Sequence, residues 1–140
     1  LPVIYISKYI LEYKNDYYKF LKEVTENGNW ENWTLYMLEA VSHTAAITLK
    51  KVNAIYESYL AAIEKVKTKA PDIYSRELIE VIYNQPYCKI AILEEKKLAS
   101  RNTASKYLRK LEELGLLKSE IVGRETLYRN LPLYRILSGS

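Results

Sequence analysis

The sequence predicts a mainly α protein in which a helical segment with one long helix is followed by a module of three helices and a small β-hairpin. Three observations predict it. Apolar residues recur at helical spacing through most of the first half, no proline or glycine occurs between Gly28 and Pro71, and two strand-like runs near the C-terminus flank Gly123-Arg124-Glu125.

Taken in order, Ser7 is a suitable N-cap for a short helix through Tyr13. Asn15 or Asp16 can start a second helix that runs to Gly28, a good C′ residue. Tyr17, Phe20, Leu21 and Val24 fall at i, i+3, i+4 and i+7, a stripe for packing on one face, and Tyr18 lies beside it. A long helix or a closely joined pair is expected over 30–68, and a continuous helix there would span roughly 58 Å. Along it Trp33, Tyr36, Met37, Ala40, Val41, Thr44, Ile47, Thr48, Val52, Ile55, Tyr59 and Ile63 keep a helical period that reads most simply as core. A helical threonine such as Thr44 can bond a carbonyl one turn back and so be buried without an unpaired hydroxyl. Lys65, Lys67 and Lys69 place cations in the last turn, and Ala70-Pro71 stops the helix. The domain boundary is expected there, giving segments 1–70 and 71–140.

In the second segment, residues 75–83 read as a helix that ends before Asn84-Gln85-Pro86. An extended piece around Cys88, a second helix over Ile90–Lys97 and a third from a Ser100 cap to Leu114 follow, with Gly115 closing the last. Ala104, Leu108, Leu111 and Leu114 share a buried stripe of the third helix, which leaves Arg101, Asn102, Ser105, Lys106, Arg109 and Lys110 toward water. Leu116–Val122 and Thr126–Asn130 then read as hairpin strands. Helix, helix, helix, hairpin is the winged helix-turn-helix order, and Thr103-Ala104-Ser105-Lys106-Tyr107-Leu108 with Leu111-Glu112-Glu113-Leu114-Gly115-Leu116-Leu117 resembles the third helix and wing start of bacterial winged-helix regulators. A DNA reader would put Arg101, Asn102, Ser105 and Lys106 at base edges, with Lys110, Arg124 and Arg129 near phosphates. Residues 89–130 hold ten basic and six acidic residues, so the patch is diluted. Use of the module for protein contacts, or as a structural cap, stands beside DNA binding.

Composition narrows the classes. A chain of 140 residues with 49% apolar content can bury a core, and a formal charge of +4 permits a polyanionic partner without demanding one. Most of the excess lies late: nine basic and eight acidic residues in 1–70, twelve and nine in 71–140. No apolar run approaches the roughly 18 residues of a membrane span, and no leader pattern is present, which predicts a cytoplasmic protein without a membrane partner. The lone Cys88 and lone His43 fall far short of a zinc ligand set, so no metal site is expected, and Cys88 reads as a buried structural thiol. The chain begins at Leu1 rather than Met, and Leu1–Ile6 has nothing before it to pack against, so a piece of a longer polypeptide is expected.

The first fifty residues resemble the stretch that follows the catalytic motif in Fic-domain (Fic/DOC) proteins, the family that transfers AMP from ATP to protein hydroxyls. Pro2-Val3-Ile4-Tyr5-Ile6-Ser7-Lys8-Tyr9-Ile10, the pair Tyr17-Tyr18, and Gly28-Asn29-Trp30-Glu31-Asn32-Trp33 carry the resemblance. A subgroup continues through a long helix into a C-terminal winged helix, as this chain does. The resemblance implies that residues 1–70 are the rear helices of a Fic core and that the catalytic histidine and glycine-rich phosphate loop, absent here, precede Leu1. His43, followed by Thr44-Ala45-Ala46 inside the long helix, does not match that histidine. No catalytic residue is therefore nominated and no cofactor is expected in this piece, while ATP and Mg are implied for the parent protein. Tyr17 or Tyr18 would lie near the adenine edge, or else pack against the missing helices. Expected partners are that missing core and, for the winged helix, a second copy, DNA or a target protein. Two readings compete with an AMP-transferase fragment that is inactive alone: a DNA-binding transcription regulator dimerising through the long helix, and a dimerisation module only.

Overall fold

The structure is a computed structural model describing residues 5–139. Leu1–Ile4, including Pro2-Val3-Ile4 of the family-like segment, lie outside the described residues, as does Ser140. Seven helices and three strands occur among the described residues: α1 (Ile6–Glu12), α2 (Lys14–Asn27), α3 (Glu31–Lys69), α4 (Arg76–Asn84), β1 (Tyr87–Cys88), α5 (Ile90–Glu95), α6 (Arg101–Glu113), β2 (Leu117–Val122), β3 (Glu125–Asn130) and α7 (Leu131–Ser138). The chain forms two compact units, Leu1–Val52 and Asn53–Ser140, and α3 contributes to both.

In the first unit, Tyr9, Tyr36 and Ala40 are buried, with Ile6, Ile10, Tyr17, Phe20 and Met37 packed against them. Ring contacts dominate: Tyr9 lies 5.6 Å from Tyr36, and Tyr17 lies 5.2 Å from Trp33, centroid to centroid. Two expected caps are not used. Ser7 sits inside the first turn of α1, whose N-cap position is Tyr5, because the backbone is already helical at residue 6. α2 likewise begins at Lys14, before Asn15 or Asp16 can cap it. Tyr13 is the joint between the two helices: its N–H bonds the Tyr9 carbonyl at 2.9 Å, and its own carbonyl accepts from the N–H of Tyr17 at 3.2 Å. Gly28 closes α2 with φ +64°, a left-handed conformation that glycine adopts without strain. Asn29 Oδ1 then accepts the Glu31 N–H at 3.2 Å and opens α3.

The long stripe of α3 is core only in part. Tyr36, Ala40 and Thr44 are buried, and the Thr44 hydroxyl donates to the Ala40 carbonyl at 2.7 Å. Val41, Ile47 and Val52 are exposed. Helical spacing specified the face, but α1 and α2 cover only its beginning.

The second unit packs the end of α3 (Ala62, Val66) against α4, α5, α6 and the sheet. Its centre is Leu78, Ile79, Ile82, Leu93, Leu108, Leu111 and Leu117, all essentially inaccessible. Burying one leucine or isoleucine contributes roughly 1.5–3 kcal/mol, so this cluster is the dominant stabilising term of the unit. Ser75 Oγ caps α4 by accepting the Leu78 N–H at 3.1 Å. The helix ends at Asn84, two residues before Pro86. α5 stops at Glu95 rather than Lys97, because Lys97 turns left-handed (φ 56°) and Leu98 N–H returns to the Leu93 carbonyl. Ser100 is the N-cap residue of α6, yet its hydroxyl pairs with the Thr103 hydroxyl at 3.0 Å rather than with the backbone.

The sheet is antiparallel in the order β1-β3-β2. β2 and β3 run in register from Leu117↔Asn130 to Val122↔Glu125 around the turn Gly123-Arg124, where Gly123 has φ +64°. α7 was not expected from the sequence. Asn130, 2% exposed, ends β3 and caps α7 by accepting the Leu133 N–H at 2.9 Å, while its amide donates to the Ile82 carbonyl at 2.9 Å. Cys88 is buried on β1, and burial pushes its thiol pKa up to about 11. Among the described residues no helix is long and apolar enough to cross a membrane.

Candidate functional site

The polar face of α6 carries most of the residues nominated for ligand contact, and its geometry follows from its own periodicity. Ala104, Leu108 and Leu111 point into the core, so Arg101, Asn102 and Lys106 are exposed and Ser105 is half-buried on the opposite side. These residues do not share one hollow. Arg101 lines a groove with Lys89, Glu94, Arg124 and Glu125, between α5, α6 and the hairpin tip. Asn102, Ser105, Lys106 and Lys110 line a second groove with Asp72 and Arg109 on the other flank. α6 is thus a polar ridge between two grooves.

The remaining nominated cations differ in availability. Arg124 is exposed at the hairpin tip. Lys110 pairs with Glu113 at 3.1 Å. Arg129 is engaged inside the sheet: one guanidinium nitrogen lies 2.7 Å from Glu120 Oε1, its side chain is 22% exposed, and its guanidinium carbon lies 4.7 Å from the Tyr134 ring centroid. That occupation makes Arg129 a brace between β3, β2 and α7 rather than an open surface cation. Lys89, paired with Glu125, joins the first groove through β1–β3 pairing, which no local pattern in the sequence announces.

Glu112 sets the hairpin against α6. Its Oε1 accepts both the N–H and the hydroxyl of Ser119 at 2.7 Å, and the first of these bonds is the main reason its carboxyl pKa is lowered. Because Ser119 lies on β2, this bond ties the hairpin to the C-terminal half of the ridge.

The tyrosine pair separates into two environments. Tyr17 is half-buried against Trp33 and Tyr36, whereas Tyr18 is 57% exposed, contacting the Tyr17 ring edge-on at 5.4 Å with Lys14 Nζ 5.7 Å from its own centroid. His43 is exposed, its ring 5.3 Å from Tyr9. Among the described residues no three His, Cys, Asp or Glu side chains converge as a metal site.

Residues 59–133, from the last turns of α3 into α7, match the family described as protein adenylyltransferase SoFic-like, C-terminal domain. The match covers more than half of the 140 residues and contains the α6 ridge, both grooves and the whole sheet. Together with the helix–helix–hairpin order, it establishes that this chain belongs to the SoFic-like protein adenylyltransferases, as the C-terminal part of a Fic-type protein.

Proposed function

We propose that this chain completes a protein adenylyltransferase that moves AMP from ATP to protein hydroxyls, its first unit forming the rear of the helical catalytic core and its second unit a winged helix. The observation that carries this reading is an uncovered apolar line on α3. Leu38, Val41, Ala45, Leu49 and Val52 recur at spacings of 3, 4, 4 and 3, one side of a helix, and Leu38, Val41 and Leu49 are 60%, 42% and 61% exposed. The unit buries only Tyr9, Tyr36, Ala40 and Thr44 among its described residues. A continuous apolar line of that length is the mark of a face that packs on something else. In this reading it takes the polypeptide that bears the catalytic histidine and phosphate loop.

In this reading ATP and Mg belong to that other polypeptide, and no chemical step is derived for this chain. Tyr18, exposed and in edge-on contact with Tyr17, is here the member of the pair that borders the adenine. The winged-helix reading of the second unit is supported by the order α4, α5, α6, β2, β3, with β1 as a third strand beside β3.

The test is a titration of this chain with the catalytic polypeptide of its parent protein, followed by calorimetry. Saturable association that is weakened tenfold or more by Leu38→Glu with Val41→Glu is expected. Association indifferent to both substitutions would overturn the placement of the interface.

A further inference from the structure

We propose that the α6 ridge, with the hairpin tip, is a binding surface for duplex DNA, an inference that deepens the winged-helix reading and rests on it. Charge is the first argument. Arg101, Lys106 and Arg124 are exposed and form no ion pair among the described residues, whereas the neighbouring cations Lys89 and Lys110 are neutralised by Glu125 and Glu113. Arg101 and Arg124 border one groove and Lys106 the other. Unpaired cations therefore stand on both flanks of the ridge, beside the carboxylates of Glu94 on one and Asp72 on the other, and are available to meet the two phosphate backbones that bound a major groove.

The side chains at the start of the ridge form the second argument. Asn102 is exposed and Ser105 half-buried one turn on, both on the exposed side of α6. An amide and a hydroxyl can exchange hydrogen bonds with base edges, where charge alone cannot discriminate. An α-helix fits the major groove of B-form DNA, whereas the deep, narrow major groove of duplex RNA excludes it.

The third argument separates DNA from protein. Interfaces between proteins are held by a few large apolar or aromatic side chains at their centre. Among the described residues the large exposed apolar side chains lie on or beside α1–α3, at Tyr87, at Tyr134, and at Ile121 and Val122 beside the hairpin tip, and none lies on α4, α5 or α6. The α6 ridge is polar and cationic, with Ile121 and Val122 only at its margin beside the hairpin tip, and fits a polyanion better than a protein.

The test is fluorescence anisotropy of the 140-residue chain with a labelled mixed-sequence duplex of about 20 base pairs across a salt series. Micromolar binding at low salt is expected, falling with a log–log slope of about −3 for three phosphate contacts at roughly −0.9 each. The triple variant Arg101→Ala/Lys106→Ala/Arg124→Ala should lose tenfold or more, and Lys22→Ala, on α2 of the first unit, should change nothing. Absence of binding at low salt, or equal binding by the triple variant, would overturn the DNA surface, as would capture of a protein partner through the same three side chains with no affinity for DNA. NMR of the same sample keeps the two readings apart. Cross-strand contacts between β2 and β3 with no DNA binding defeat only this inference, whereas missing hairpin contacts defeat the winged helix itself.

Discussion

Asn130→Ala is the sharpest perturbation of the second unit. The side chain is 2% exposed and performs two tasks: its oxygen caps α7 through the Leu133 N–H, and its amide satisfies the Ile82 carbonyl at the end of α4. Losing an N-cap costs about 1 kcal/mol, and leaving a buried carbonyl unpaired costs about 1–3 kcal/mol. The combined loss is about 2–4 kcal/mol, a large share of the roughly 5–15 kcal/mol by which domains are stable. Both tryptophans lie in the first unit, so the transition of the second is best followed by hydrogen exchange at the α6 amides in urea. Asn130→Ser should recover about 1 kcal/mol, since serine caps well but does not reach Ile82. A loss under about 0.5 kcal/mol for the alanine variant would refute the dual role.

Three further outcomes follow from the same physics. Glu112 has its folded pKa lowered by the Ser119 bonds, so its contribution is present above the ordinary glutamate range and is lost as pH falls through the lower folded value. Acid unfolding of the second unit by Glu112→Gln should accordingly show a shallower pH dependence, and an unchanged profile would refute the clasp. The buried Cys88 thiol, raised to about 11, should resist a thiol reagent at pH 8 and react fully in denaturant; its stabilising effect is present below about 9 and is lost as pH rises toward 11. In the assembled transferase, Tyr18→Ala should raise the KM for ATP several-fold with little change in stability, while Tyr17→Ala should lower the melting temperature through lost ring packing. Equal effects of the two would contradict the division between them.

The second unit was legible because its signals are local. Ala104, Leu108 and Leu111 at helical spacing, Gly115, and the turn Gly123-Arg124 between strand-like runs each demand one conformation. α7 was hidden because one residue, Asn130, both ends β3 and caps the next helix, and the sequence read only the strand. The middle of α3 shows a different limit. Periodicity states which side of a helix is apolar, and not what covers it, so Val41, Ile47 and Val52 read as core although they are exposed. The nominated cations divide for the same reason. Arg101, Lys106 and Arg124 are exposed and form no ion pair among the described residues, whereas Arg129 is engaged by Glu120 on the facing strand and by Tyr134 on the unforeseen helix.

The central claim, that this C-terminal part completes the core of a Fic-type transferase, is tested most directly by measuring AMP transfer from ATP to a protein hydroxyl. The assay compares the catalytic polypeptide of the parent alone, with this chain added, and with its Leu38→Glu/Val41→Glu variant added. Transfer that appears only with the unaltered chain is predicted. Full transfer by the catalytic polypeptide alone, unchanged by either addition, would contradict the account.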